Sequence, residues 1–292
     1  MFSLPTRRLL ATAALLGFAG ASYAAQPLKL DVYNPGEEGI FPVSSVLVTG
    51  EKDAVLVDAQ FSSSDADKVV EKIRKSGKNL TTIYVSHGDP DYYFGLQTLT
   101  AAYPKAKVVA SAQTVAHINE TKDAKLQYWS PKLGAAAPSK LIVPQVLEGS
   151  ELTLEGQKLQ VIGLDGPQPD RSFVWIPSVK AVVGGVVLSS NIHVWMADTQ
   201  STQSHQDWLA TLATIEQLKP SIVVPGHFLP GELKAEQSPA FTAAYIKTFD
   251  AETAKAKDSA ALINAMKAHY PKLADESSLE LSAKVAKGEM KW

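Results

Sequence analysis

The first part of the chain alternates between apolar and polar positions in a way that predicts strands. Residues 28–32 alternate with a period of two, and residues 43–49 and 54–58 are apolar runs. A period of two places successive side chains on opposite faces of a strand. The residues between the two runs, 50–53, begin with Gly and end with Asp, which predicts a hairpin turn. We therefore expect a sheet that begins with antiparallel strands, with Asp58 at a strand end pointing to the loops above it.

A helix and a further strand follow this hairpin. Residues 62–77 carry apolar side chains at the spacing i, i+3, i+4 and i+7, which is one face of a helix. Ser64, followed by Asp67, resembles a capping box, and Gly77 is a typical helix stop. Residues 80–85 are rich in β-branched and aromatic side chains and predict a buried strand. This succession predicts a βαβ unit with a right-handed crossover.

The second half of the chain repeats this order. Short apolar runs separated by Gly and Pro predict strands at residues 151–154, 159–164, 172–176 and 181–188. A stripe of apolar side chains at helical spacing then predicts a helix over 204–218. Residues 222–224 predict one more strand, which ends in a loop at His227.

The segments between and after these units carry weaker patterns. Residues 95–103 predict a helix, 107–111 a strand and 112–120 the start of another helix. Residues 121–145 contain Pro and an alanine run and predict irregular structure, either a lid beside a site or a packed surface excursion. Residues 238–287 carry apolar side chains at helical spacing and predict a C-terminal helical appendage that packs on the sheet.

Composition narrows the choice of partners and of chemistry. The chain has 292 residues, 45% of them hydrophobic and 20% charged, which suits a globular protein. Its formal net charge of −2 gives no basic surface for nucleic acid. It has no cysteine, so disulfides, thiolate nucleophiles and thiolate metal ligands are excluded. Any metal site must therefore use His, Asp, Glu, backbone or water ligands.

The N-terminus predicts export. Arg7 and Arg8 precede a short apolar stretch, residues 9–21, and small residues then stand around Ala24. This order is typical of a signal peptide over residues 1–24, removed after Ala24 through the general or the twin-arginine route. We expect a periplasmic or secreted protein, residues 25–292, with no membrane segment after cleavage. The alternative is an uncleaved membrane anchor.

The loop at residues 86–95 carries the candidate chemistry. His87, Asp89 and Asp91 stand at alternate positions directly after the strand at 80–85, where Gly88 and Pro90 break regular structure. In open α/β sheets, ligands bind beyond the carboxyl ends of the strands. Imidazole and carboxylate groups at this spacing can converge on zinc, iron or manganese. Short His/Asp loops are also often plain turns.

These residues resemble the signature of the metallo-β-lactamase superfamily. Residues 86–95, Ser-His-Gly-Asp-Pro-Asp-Tyr-Tyr-Phe-Gly, are similar to the pattern Ser/Thr-His-x-His-x-Asp-His-x-x-Gly, and residues 223–227 resemble its closing histidine motif. The order of elements matches across roughly residues 28–230. The resemblance implies an α/β fold, a four-layer αβ/βα sandwich with the site at one edge between two sheets.

Position by position, the resemblance implies an altered metal site. His87 matches the first metal histidine, Asp91 the metal aspartate and His227 the closing histidine. Asp89 and Tyr92 stand where two further histidines belong. The third histidine of the first metal falls near residues 165–168, which contain none, and Gly185 takes the place of the bridging aspartate. Asp165 and His193 are candidates to complete the set, with Asp198 weaker. His205 is expected on the surface.

Two functions remain open on this basis. The first is an exported hydrolase that acts on a small ester, lactone or amide through water activated by a divalent metal, zinc or else iron or manganese. His87, Asp89, Asp91 and His227 would hold the metal. Asp91 would orient the water or take its proton, and Tyr92 would donate to an oxyanion. The second is a metal-free periplasmic binding protein on a degenerate form of the fold. A redox enzyme with another metal ranks lowest.

Overall fold

The computed structural model describes residue 1 and residues 26–292. The predicted signal peptide, residues 1–24, lies outside these described residues except for Met1. Within them, no helix combines the length and the apolar character that crossing a bilayer requires.

The strands of the described chain are short and lie mainly in two sheets. They are β1 (Lys29–Tyr33), β2 (Ser45–Thr49), β3 (Asp53–Val57), β4 (Asn79–Val85), β5 (Lys107–Ala110), β6 (Gln145–Val146), β7 (Glu151–Leu154), β8 (Gln157–Ile162), β9 (Phe173–Ile176), β10 (Ala181–Val183), β11 (Ser189–Ser190), β12 (Ile222–Val223) and β13 (His227–Phe228). The α-helices are α1 (Ser63–Ser76), α2 (Pro90–Tyr93), α3 (Leu96–Ala102), α4 (Ala112–Leu133), α5 (Thr202–Leu218), α6 (Ser238–Lys255), α7 (Ser259–His269) and α8 (Glu276–Ala286).

The first sheet has the order β1-β2-β3-β4-β5-β6 and begins antiparallel. The predicted hairpin joins β2 to β3, and the Gly50 N–H donates to the Asp53 carbonyl across it. From β3 onward the strands are parallel, with α1 crossing from β3 to β4 as the βαβ pattern predicts. The second sheet has the order β12-β10-β9-β8-β7 and is antiparallel except where β10 meets β12.

Side chains alternate between the two faces of each strand, and in the first sheet they contribute to two of the three apolar core layers. In β3, Val55 and Val57 face the second sheet, whereas Ala54 and Leu56 face the layer of α1, α3 and α4. A third apolar cluster lies between the second sheet and α5 to α8, with Trp208 and Phe249 among its members. Because helices cover the outer face of each sheet, the result is the four-layer αβ/βα sandwich that the sequence predicts.

Two helix predictions need correction. The cap of α1 is Ser62, whose hydroxyl accepts from the Asp65 N–H, rather than Ser64 with Asp67. Residues 121–145 are not irregular throughout, because α4 continues without interruption to Leu133. Pro131 lies in the last turn of α4, where it removes one backbone hydrogen bond without ending the helix. The segment beside the site is therefore a helix.

Candidate functional site

The loop after β4 meets loops from the second half of the chain at one edge of the sheets. The Gly185 N–H, just after β10, donates to Ser86 Oγ over 2.7 Å. Strands β11 and β13 pair in parallel, which sets Ser189 opposite His227. Ser44 Oγ donates to the Pro225 carbonyl over 2.8 Å and ties the same edge to the first sheet. These contacts bring His227 to the loop that carries His87.

Asp91 and His227 form one close pair. Asp91 lies in the first turn of α2, after Pro90 at the N1 position, and its Oδ2 is 2.7 Å from His227 Nε2. His227 Nδ1 is 3.3 Å from the Tyr92 hydroxyl. Since a carboxylate only accepts, Nε2 carries the proton and Nδ1 accepts from Tyr92. Burial, assisted by Asp91, raises the pKa of Tyr92 well above its ordinary value, so Tyr92 remains a neutral phenol.

His87 and Asp89 form the second pair. His87 Nε2 is 3.2 Å from Asp89 Oδ2, and its Nδ1 is 3.0 Å from the Asp170 carbonyl oxygen. Both partners are acceptors, so both contacts are hydrogen bonds only when both ring nitrogens carry protons. Burial opposes this charge, but the Asp89 carboxylate outweighs burial and raises the pKa of His87. These two contacts and the raised pKa both favour the doubly protonated ring of His87.

Helix α4 adds two residues that the sequence pattern did not single out. Lys125 Nζ is 2.5 Å from Asp89 Oδ1, 3.0 Å from His117 Nε2 and 3.4 Å from the Gly88 carbonyl oxygen. Burial favours the protonated carboxyl of Asp89. The neighbouring His87, His117 and Lys125 outweigh burial and hold the pKa of Asp89 well below its ordinary value. Asp89 is thus an ionised carboxylate surrounded by cationic and donor groups.

A buried arginine lies next to these pairs. Arg171 ends the short 3₁₀ turn Pro169–Arg171, and its Cζ lies 4.1 Å from the ring centroid of Trp208. Its Nε and Nη2 are buried and have no hydrogen-bond partner within residues 26–292. Burial lowers the pKa of Arg171, with Asp198 and Asp170 opposing the change. An arginine stays protonated in proteins, so this residue brings a permanent positive charge.

Asp58 forms the floor of the site. It follows β3 with φ of 68°, and its carboxylate accepts from both the N–H and the hydroxyl of Ser86, each over 2.7 Å. Burial raises the pKa of Asp58 to about 7, although the Ser86 hydrogen bonds oppose the change. Asp58 thus lies beneath the loop and fixes it, rather than lining the opening as its position at the strand end suggested.

Other predicted residues lie elsewhere. His193 Nδ1 is 3.0 Å from the Tyr245 hydroxyl of α6, so the ring faces the helical layer and does not complete the site as expected. Asp165 is exposed on the loop after β8. Asp198 accepts from the indole N–H groups of Trp195 and Trp292. His205, expected on the surface, is buried instead, because α6 packs on α5 and Asp250 contacts the ring at 2.6 Å.

These residues do not fit the metal centre that the resemblance implies. In the part of the chain that the structure describes, no three His, Asp or Glu side chains are grouped to hold an ion. A metal-binding histidine needs an unprotonated nitrogen. Both ring nitrogens of His87 face acceptors, and the unprotonated nitrogen of His227, Nδ1, faces the Tyr92 hydroxyl. The bridging position, Gly185, has φ of 79°, and a Cβ there would overlap the Ser172 carbonyl oxygen. A carboxylate cannot stand at that position without moving the backbone.

The fold agrees with comparisons against known proteins. Residues 39–227 match the family model described as the metallo-beta-lactamase superfamily. DIM-1 metallo-beta-lactamase is similar in structure, with a TM-score of 0.54 and 20% identity over 77% of this chain and 99% of that chain. A metallo-beta-lactamase family protein from Thermus thermophilus gives 0.61 at 15% identity, covering 88% of this chain and 91% of that one. At these identities, the structural likeness shows the fold alone.

One curated relative is closer in sequence over a short stretch. The uncharacterized protein YobT of Bacillus subtilis (strain 168) is 33% identical over 72 residues. The match covers 25% of this chain and 30% of YobT. The chain therefore spans less than a third of that relative.

Proposed function

This chain belongs to the metallo-β-lactamase superfamily, and we propose that it binds a small molecule at the edge site without a resident metal ion. The superfamily's fold is that of hydrolases, and the motif loop is retained at the expected edge of the sheets. The proposal rests on charged groups of the chain itself, which already contact the side chains that a metal ion would bind.

One observation carries this proposal: both ring nitrogens of His87 contact groups that can only accept. Nδ1 faces the Asp170 carbonyl and Nε2 faces the Asp89 carboxylate. Metal binding at Nε2 would require that proton to leave and that hydrogen bond to break. Lys125 holds the other carboxylate oxygen of Asp89 at 2.5 Å. A metal would have to displace the ammonium as well.

The groups that remain partly exposed indicate the ligand's chemistry. The side chains of His227, Lys125 and His117 are 18%, 22% and 40% exposed, respectively. Imidazole and ammonium groups donate to oxygen atoms. We therefore infer a small polar ligand whose carbonyl or carboxylate oxygen competes with the Asp89 and Asp91 carboxylates for the N–H groups of Lys125 and His227.

Metal analysis and ligand titration together test the proposal. We expect less than about 0.1 equivalent of any transition metal in the purified protein, and no rise in melting temperature on adding zinc, iron or manganese. Calorimetry against small carboxylic acids, esters, lactones and amides should reveal a ligand that binds without turnover. His227→Gln should weaken that ligand at least about tenfold, whereas His269→Gln, an exposed histidine on α7, should not. Tightly held stoichiometric metal would refute the proposal.

A second candidate is the metal-dependent hydrolase. Two histidine–carboxylate pairs, His87 with Asp89 and Asp91 with His227, do meet at the motif positions, and this observation favours it. The expected substrates are a small ester, lactone or amide. Stoichiometric metal, together with hydrolysis that a chelator abolishes and added metal restores, would select this candidate over metal-free binding.

Export is a separate proposal. Residues 1–24 carry the order of a signal peptide, and we infer a periplasmic or secreted mature protein. N-terminal sequencing of the protein recovered from the periplasm should begin at Ala25. Recovery of the full-length chain from the membrane fraction would support the anchor alternative.

A further inference from the structure

The Asp89 carboxylate is neutralised by two residues from different parts of the chain. Lys125 Nζ contacts Oδ1 at 2.5 Å, and His87 Nε2 contacts Oδ2 at 3.2 Å. The superfamily pattern places a metal-binding histidine at this position. Here a carboxylate meets an ammonium group, and the pair replaces the contact between a histidine and a metal ion.

Lys125 is held in place by more than this ion pair. Its Nζ is also 3.0 Å from His117 Nε2 and 3.4 Å from the Gly88 carbonyl oxygen. His117 and Lys125 are eight residues apart on α4, just over two turns, so they share one face of the helix. Gly88 permits this approach, because a Cβ there would lie 2.5 Å from the His117 ring. The ammonium therefore has three acceptors around it.

Those three acceptors are also ligands of divalent cations. Zinc accepts a carboxylate oxygen and an imidazole nitrogen as ligands, and manganese also accepts a carbonyl oxygen. A lysine ammonium is a compact point charge with three donors. Lysine and a divalent ion would therefore compete for the same atoms. While Lys125 is bound, the charge of Asp89 is already compensated.

We propose that the Lys125 ammonium is a built-in cation of this site and keeps Asp89, His117 and the Gly88 carbonyl from binding a divalent metal. This inference rests on the proposed metal-free function and adds its cause. Removing Lys125 takes its ammonium away from Asp89 Oδ1 and frees His117 Nε2, which lies 3.9 Å from that oxygen. Zinc then becomes a suitable occupant, with His117 as a ligand from outside the superfamily motif.

The test is zinc titration of the full chain, treated with a chelator and then dialysed, by calorimetry and by melting temperature. Lys125→Ala should bind one zinc ion at least about tenfold more tightly than the wild type, and zinc should raise its melting temperature. Lys125→Met is the second variant, in case truncation disturbs α4. Lys132→Ala is the matched control, because that lysine lies on the same helix, 3.7 Å from the ring centroid of Tyr128. It should behave as the wild type does.

Adding His117→Ala to Lys125→Ala should reverse the gain at least about tenfold. The proposal is overturned if both Lys125 variants bind zinc no more tightly than the wild type, or if the double variant keeps the gain. Different results would refute the metal-free function and the role of Lys125. Stoichiometric metal in the wild type would refute the metal-free function, whereas a metal-free wild type with metal-free Lys125 variants would refute only the role of Lys125.

Discussion

Replacing Asp58 with Asn should remove a loss of stability that occurs as the pH rises. Asp58 is buried, and its carboxylate accepts two hydrogen bonds from Ser86. Its φ of 68° lies in the left-handed region, which Asn tolerates better than most residues. The substitution therefore preserves shape and backbone while removing the titrating group.

The magnitude follows from the pKa. Burial raises the pKa of Asp58 to about 7, whereas an aspartate in an unfolded chain titrates near about 3.9. Between these values the folded state holds a proton that the unfolded state has released, so the free energy of unfolding falls as pH rises. Each pH unit is worth about 1.4 kcal/mol, so the loss attributable to Asp58 between about pH 4 and pH 7 totals about 4 kcal/mol.

Urea unfolding at several values between about pH 5 and pH 8 measures this effect. Asp58→Asn should gain about 2 to 3 kcal/mol relative to the wild type between these limits, because only part of the window is covered. Titrating groups that do not interact with Asp58, such as His193, cancel in the difference. Asp123→Asn, an exposed residue on α4, should keep the wild-type pH dependence. A difference between wild type and Asp58→Asn that stays constant with pH would refute the assignment.

Three further substitutions test other parts of the structure. Burial lowers the pKa of His193 to about 4, so the free energy of unfolding should fall by about 3 kcal/mol as pH drops from about 6.5 to about 4. In urea unfolding, His193→Phe should remove most of this decrease. Gly185→Ala should destabilise by at least about 2 kcal/mol in the same assay at neutral pH, because its φ is 79° and the new Cβ would meet the Ser172 carbonyl. Phe249→Ala should lower the free energy of unfolding by about 3 to 5 kcal/mol, because this ring of α6 is buried in the apolar cluster between the second sheet and α5 to α8. An unchanged free energy of unfolding would mean that the C-terminal helices do not unfold in one cooperative unit with the rest.

The site illustrates how a metal-binding fold can keep its architecture and change its electrostatics. The motif histidines His87 and His227 still lie beside aspartates, but each ring directs a proton at its carboxylate. Arg171 and Lys125 supply permanent positive charge next to these pairs. Buried carboxylates need such compensation, since an unpaired charge in a low dielectric is costly. Arg171 and Lys125 lie where they provide part of this compensation.

The sequence by itself determined the layers of the fold and the strand end at which the residues of the motif lie. The apolar run at residues 54–58 predicted β3, which is buried on both faces between two core layers. The stripe on α1 placed a helix where the structure has it. The break at Gly88 and Pro90 marked the end of β4, although Pro90 begins the short helix α2 rather than continuing a loop. These signals are local, because the burial of an element's faces recurs with the period of the element itself.

Only the tertiary structure decided what the loop contacts. Lys125 lies 36 residues beyond Asp89 in the chain, on a helix whose buried side chains, Thr114 and Ile118, are too few to produce a clear apolar stripe. In the sequence, such a lysine cannot be distinguished from one that is exposed to solvent, and the same holds for His117. Periodicity reports which face of an element is buried, but the partner that a long polar side chain reaches across a fold depends on how elements dock. The end of β4 and the turn at residues 86–89 were therefore predictable, whereas the cation that Asp89 contacts was not.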